Sequence, residues 1–218
     1  MKYKKPKIFI LESNIKQIIR DNPSKSDYKM DNIIEKIKKI VKIEFDKADI
    51  KFHKEPYYYI YHILPAYNIS IGLAKRYNAN KEIVAISILL HDIGLINLDK
   101  GKEHDEAGVK KSKKILKDIG LNDKKIKEIL HCIRYHDARD KNPLSIEGKI
   151  VCTADALSHI VTPWYIIKGR NSRKNNKDII KWLSKKLNKD FNRIQFEEIK
   201  EEINPIYKNW KIILNGNN

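Results

Sequence analysis

Lys81-Glu82-Ile83-Val84-Ala85-Ile86-Ser87-Ile88-Leu89-Leu90-His91-Asp92 is the stretch on which the fold turns. From Ile83 to Leu90 every residue is apolar or small, and Gly94 follows as a stop signal. The pattern predicts a helix over 81–91 that is buried on all sides. Imidazole and carboxylate at the end of such a helix lose their hydration. That costs on the order of several kcal/mol unless hydrogen bonds, an ion pair or a metal ion offsets it. Function is therefore to be sought at His91-Asp92.

Outward from this segment the periodicity stays helical, and alternating strand patterns are nearly absent, so the predicted class is all-α. Ile34, Ile37, Val41 and Phe45 mark an amphipathic helix over about 31–45, preceded by a short extended piece at Ile8 to Leu11. Further helices are expected over about 58–77 and over about 105–119, the latter ending at Gly120. Another, capped by Asn122 or Asp123, reaches about His136. Asn142-Pro143 breaks the chain before an apolar helix over about 144–161. The basic stretch 168–177 reads as a mobile surface loop, followed by helices over about 177–187 and 195–213, with Pro205 kinking or interrupting the last. No internal repeat is visible, and residues 215–218 are expected to fray.

With 218 residues the chain suits one domain with terminal embellishments. Hydrophobic residues make up 41% and charged residues 33%, and isoleucine occurs in clusters too short to cross a bilayer. No transmembrane helix is predicted. The apolar run after the basic N-terminus is too short for a signal peptide, so a cytoplasmic location is expected. Cys132 and Cys152 stand far apart without a CxxC, which excludes a disulfide framework or a thiolate-rich zinc site; both read as small buried hydrophobes. The net charge of +17 suits a polyanionic partner such as nucleic acid. Because lysine is scattered over almost every segment, solvated faces are the better reading.

Several polar residues sit where apolar ones are expected. His62 shares a helix face with Ala66, Ile69 and Leu73 and so faces the core, either as a hydrogen-bonded core histidine or as a ligand. Pro65 means that this helix bends or only begins near His62. Asp155 lies within Ile150-Val151-Cys152-Thr153-Ala154-Asp155-Ala156-Leu157, where a carboxylate needs an Arg or Lys partner or an ion; Ala154 and Ala156 let another helix, or an ion, approach closely. His136 continues the buried stripe of Ile126, Ile129 and Ile133. His131 groups instead with Lys127, Glu128, Arg134 and Tyr135 on the polar side. His104 opens its helix beside Asp105 and Glu106 and is within chain reach of His91-Asp92. His53 and His159 read as structural or surface residues.

The order His62, then His91-Asp92, then Asp155, with the strings AISILLHDIG, EHDEAG, IRYHDARD and KIVCTADAL, resembles the HD superfamily of metal-dependent phosphohydrolases over about 58–160. The separation of 29 residues between His62 and His91 resembles its smaller bacterial and archaeal members, while Pro65 departs from the usual aliphatic pattern. The resemblance implies a helical bundle with a core at about 58–160, an N-terminal helical extension at 1–50 and C-terminal helices at 171–214. It implies that His62, His91, Asp92 and Asp155 bind one divalent metal, for which Mn, Fe, Co, Ni, Zn and Mg all suit the donors. His104 and His136 match the positions where two-metal members hold a second ion, and could do that instead of, or as well as, contacting substrate phosphate; one tightly bound metal is the favoured expectation. Such a metal polarises a phosphoryl oxygen and lowers the pKa of bound water. Asp92 would orient that water or accept its proton, and protonated His104 or His136 would stabilise phosphoryl charge. Arg134, Arg139, Lys168 and Arg170 are the candidate cations for the remaining phosphate charge.

The expected function is a metal-dependent phosphohydrolase acting on a nucleotide or a related small phosphate ester or anhydride. Nuclease or cyclic-nucleotide phosphodiesterase activity is a second reading, supported by the positive charge and the basic stretch 168–177. A third is a non-catalytic nucleotide sensor with a structural metal, and a two-iron oxygenase is a remote fourth. No membrane partner is expected, and the oligomeric state is open.

Overall fold

The computed structural model describes residues 25–53, 57–96, 103–139, 141–172 and 175–215. Among these are nine α-helices and no strand: α1 Lys25–His53, α2 Leu64–Arg76, α3 Lys81–Leu90, α4 His104–Asp118, α5 Asp123–Tyr135, α6 Ile146–Val161, α7 Trp164–Arg170, α8 Asn176–Asn192 and α9 Glu197–Asn215. The all-α class is as the periodicity indicates. The extended piece expected at 8–11 lies outside the described residues.

Helix α3 is the axis of the molecule. Every side chain from Ile83 to Leu90 is buried, because α1, α2, α5 and α6 all pack against it. Full burial stabilises by about 1.5–3 kcal/mol for each large aliphatic side chain, which favours a short apolar helix surrounded by amphipathic ones. Helix α6 is nearly as apolar and packs on α2, α3, α5 and α8. No single helix among the described residues is long and apolar enough to cross a membrane. Helix starts follow side-chain capping: Asn80, Asn122, Ser145 and Asn175 accept hydrogen bonds from backbone N–H groups in the first turns of α3, α5, α6 and α8. Cys132 and Cys152 are buried free thiols.

Three local expectations need correction. Residues 168–170 are not loop but the last turn of α7, and α8 already begins at Asn176. Pro163 at the start of α7 and the cap at Asn175 delimit these helices and leave a short connection between them. Pro205 does not interrupt α9, which runs through it; the carbonyl that it deprives of a partner belongs to exposed Glu201, where water can replace the bond. The first helix extends beyond 31–45 at both ends.

Pro65 does shape the entry to α2. A single wide π-type turn, Tyr59–Ile63, precedes the helix and carries His62. Proline has no N–H to give to the Tyr61 carbonyl, and the Thr162 hydroxyl approaches that oxygen at 3.5 Å instead.

Candidate metal centre

Four ligand-type side chains from three places in the chain, His62, His91-Asp92 and Asp155, meet beside the C-terminal end of α3. His62 and His91 are 0% exposed, Asp155 3% and Asp92 6%. The Nε2 atoms of His62 and His91 face each other at 3.1 Å. Asp92 Oδ2 lies 3.1 Å from the first and 3.3 Å from the second. Asp155 Oδ1 lies 3.4 Å and 3.5 Å from the same two atoms. Atoms bound at about 2.1 Å to one ion sit about 3.0–3.4 Å apart, so these separations suit a shared cation.

Local structure fixes which ring nitrogen is presented. His91 is the C-cap of α3, and its Nδ1 is 2.6 Å from the carbonyl of Ile88, an acceptor left over at the helix end. His62 Nδ1 contacts the Ser158 hydroxyl at 3.0 Å. With Nδ1 so engaged, each Nε2 is left for a ligand, the arrangement that orients imidazole toward a metal.

His136 uses the same device. It is the C-cap of α5, its Nδ1 is 2.7 Å from the Ile133 carbonyl, and it is buried. His104, at the start of α4, brings its Nε2 to 3.3 Å from His136 Nε2. Both nitrogens lie 3.5 Å from Asp92 Oδ1. Asp92 therefore faces the His62–His91 pair with one oxygen and the His104–His136 pair with the other. Gly94 is what allows α4 this close, since a Cβ there would stand 1.9 Å from the His104 carbonyl oxygen and 2.4 Å from the Gly108 nitrogen.

Asp155 answers two expectations at once. Its Oδ2 accepts from Arg193 Nη1 at 2.5 Å, the ion pair that a buried carboxylate demands. Its Oδ1 is buried with no hydrogen-bond partner and points at the two imidazoles. An orphaned carboxylate oxygen is costly unless a cation takes it. Burial would raise both carboxyl groups, but the opposing charge is stronger: His91 at Asp92, and Arg193 with His159 at Asp155, hold both well below the usual carboxylate range. Burial prevails at His62 and lowers its pKa. The donor set of two imidazole nitrogens and two ionised oxygens, with one oxygen unsatisfied, fits a divalent ion.

Periodicity did not reveal three contributors. The Tyr58 hydroxyl donates to Asp92 Oδ2 at 2.7 Å; its position one helical turn before His62 was the available signal. Arg193 and Asp190 come from the end of α8. Asp190, 0% exposed, accepts from Tyr165 at 2.7 Å, Lys186 at 2.8 Å and Arg193 Nε at 3.0 Å, and lies 3.0 Å from His159 Nδ1. His159 is thus buried, with its Nε2 3.7 Å from Asp155 Oδ1, and its ring stacks on that of His62 at 4.6 Å. His131 is partly buried beside Tyr135, away from this cluster. The side chain of His53 lies outside the described residues.

The cations proposed for phosphate scatter. Arg134 is paired with Asp105. Arg139 is paired with Glu103, with one guanidinium nitrogen 3.3 Å from His104 Nδ1. Arg170 is exposed, and Lys168 is half-buried over the rings of Trp164 and Tyr58.

Residues 59–160 match the HD domain family. This region is an HD domain. The match begins at the π-type turn that carries His62 and ends at the last turn of α6, which carries Asp155. HD domains bind divalent metals, and the buried groups described above are positioned for one. The fold is similar to that of an HD-superfamily hydrolase from Bacillus thuringiensis, with a TM-score of 0.62 and 22% identity over 85% of this chain and 95% of that one. It is also similar to a predicted HD superfamily hydrolase from an uncultured Thermotogales bacterium, with a TM-score of 0.52 and 21% identity over 81% and 92% of the two chains. No curated protein matches the sequence. The HD domain does not include α1 or α8, so Phe45, Asp190 and Arg193 reach it from outside the matched region.

Proposed function

We propose that the protein is a metal-dependent phosphohydrolase acting on a small phosphate ester or anhydride, with a nucleotide as the first substrate class to test. The observation that carries this reading is the bridging position of Asp92 between two histidine pairs, with the buried, unpartnered Oδ1 of Asp155 beside the first. His62, His91, Asp92 and Asp155 would hold one divalent ion, and Asp92, His104 and His136 a second. When bound, such ions supply Lewis acidity toward a phosphoryl oxygen and acidify water.

The protein's own groups account for the rest. Tyr58 donates to Asp92 Oδ2 and so fixes the carboxylate plane, leaving Oδ1 turned toward the His104 side. His104, partly exposed at the mouth, is placed to touch a substrate oxygen and to give or take a proton through Nε2. Arg193 keeps Asp155 ionised and oriented. The rings of Trp164, Tyr58 and His159 pack around His62 and exclude water from that side.

Protein loaded with Mn and supplied with a panel of nucleotides and simple phosphate esters should release phosphate or pyrophosphate, and Asp92→Ala should abolish release. Absence of turnover by metal-loaded protein on the whole panel would instead favour the sensor reading.

A further inference from the structure

Geometry separates one cation from the four that could meet substrate phosphate. Arg134 pairs with Asp105 and approaches Glu106 at 3.9 Å. Arg139 pairs with Glu103 and lies 3.2 Å from Asp137. Arg170 is exposed and has an interaction of its own. Lys168 differs from all three. Its ammonium stands 5.3 Å from the ring centroid of Trp164 and 6.0 Å from that of Tyr58. Among the described residues it meets no carboxylate, carbonyl or hydroxyl at hydrogen-bonding distance.

The placement is built by the sequence around the end of α6. Thr162-Pro163 turns the chain by 67° between α6 and α7. The Thr162 hydroxyl accepts from the Trp164 N–H at 3.2 Å and so starts the new helix. Lys168 follows Trp164 by one turn, so its stem runs along the indole face. Trp164 in turn lies against His62 at 5.0 Å and Tyr58 at 5.1 Å, and Tyr58 binds Asp92. Lysine, aromatic wall and ligand cluster are therefore continuous.

A cation over an aromatic face gains a modest electrostatic attraction. That falls short of replacing the water lost by three N–H donors, and the loss is visible in the ammonium: burial lowers its pKa even though Asp92 and Asp49 pull it upward. A half-buried ammonium with aromatic support and, among the described residues, no anion at hydrogen-bonding distance is arranged for an anion that arrives.

We propose that Lys168 forms a phosphate subsite, in which its ammonium receives the non-bridging oxygens of the substrate phosphate on the Tyr58–Asp92 side of the ligand cluster. This rests on the phosphohydrolase reading for the identity of the anion. Lys168 then sets substrate affinity, because a charge-assisted hydrogen bond to phosphate forms in the ground state as well as in the transition state.

The test is titration of Mn-loaded full-length protein with inorganic phosphate by calorimetry in 0.3 M salt, where nonspecific attraction to the surface lysines is weakened. Wild type should bind phosphate, and Lys168→Met should weaken binding about ten-fold or more, the scale of one hydrogen bond to a charged group. Lys168→Arg should recover part of the loss, and Lys181→Met, an exposed control, should match wild type. Manganese content should be equal in all four proteins, and Lys168→Gln serves if the methionine variant folds poorly. Equal phosphate affinity in wild type and Lys168→Met would overturn the subsite while leaving the phosphohydrolase reading intact. Failure of wild type to bind phosphate would overturn it too, and turnover of the substrate panel then decides separately whether the broader reading stands.

Discussion

A carboxylate with two faces shows how residue-level chemistry builds this centre. Asp155 gives Oδ2 to Arg193 and leaves Oδ1 facing His62 and His91, so the guanidinium both stabilises the charge and chooses which oxygen is free. Arg193→Met should weaken Mn binding by about 10–100-fold, the usual effect of losing a partner that orients a ligand. Equilibrium dialysis of the folded variant measures this; unchanged affinity would make Arg193 a purely structural residue. Asp155 was visible in the sequence because a carboxylate among Ile150, Val151, Ala154 and Ala156 needs either a cationic side chain or an ion beside it. His62, His91 and His136 stood out for the same reason, as polar groups continuing apolar faces. Arg193 was invisible: it is one of 45 Lys and Arg residues, and its partner lies 38 positions away, where no periodicity reaches. Tyr58 was hidden differently, because an aromatic among Tyr57 and Tyr59 looks like core until its hydroxyl is located.

Helix ends place the ligands. α3 and α5 each terminate in a His-Asp pair, and in each the histidine turns Nδ1 back to a last-turn carbonyl and Nε2 forward. The recurrence follows from a need common to both helices, since the final carbonyls lack intrahelical partners. α4 reaches the centre only because Gly94 allows backbone contact with His104 and Gly108. Gly94→Ala should therefore destabilise the fold by about 1–3 kcal/mol or more, as overpacking does, and should displace His104. Urea denaturation measures the first effect and metal stoichiometry the second; wild-type stability would contradict the close approach. Helix existence and type were readable from spacing, but boundaries were less so. The stretch 168–177 looked like loop because it is polar and basic, whereas the turn at Thr162-Pro163 and the aromatic contacts of Trp164 continue helical structure to Arg170.

At the scale of the molecule, the matched region does not complete its own centre. From the N-terminal side, α1 supplies Phe45, stacked on Tyr58 at 4.8 Å, and Asp49, which accepts from the N–H groups of Tyr57 and Tyr58. From the C-terminal side, α8 supplies the Asp190–Arg193 pair, whose loss would leave Asp155 buried without its cation. Breaking a buried pair in this way costs about 3–5 kcal/mol, a large share of a domain's stability. A chain ending at residue 171 should accordingly lose both cooperative unfolding and Mn binding, as read by circular dichroism and dialysis. Retention of both would show that the terminal helices are dispensable. The central claim is that the buried histidines and aspartates form a metal centre with Asp92 as its bridge. Anomalous diffraction from Mn-soaked crystals tests it most directly. One peak is predicted within ligand distance of His62, His91, Asp92 and Asp155, and a second beside Asp92, His104 and His136; a map with no peak at either cluster would contradict it.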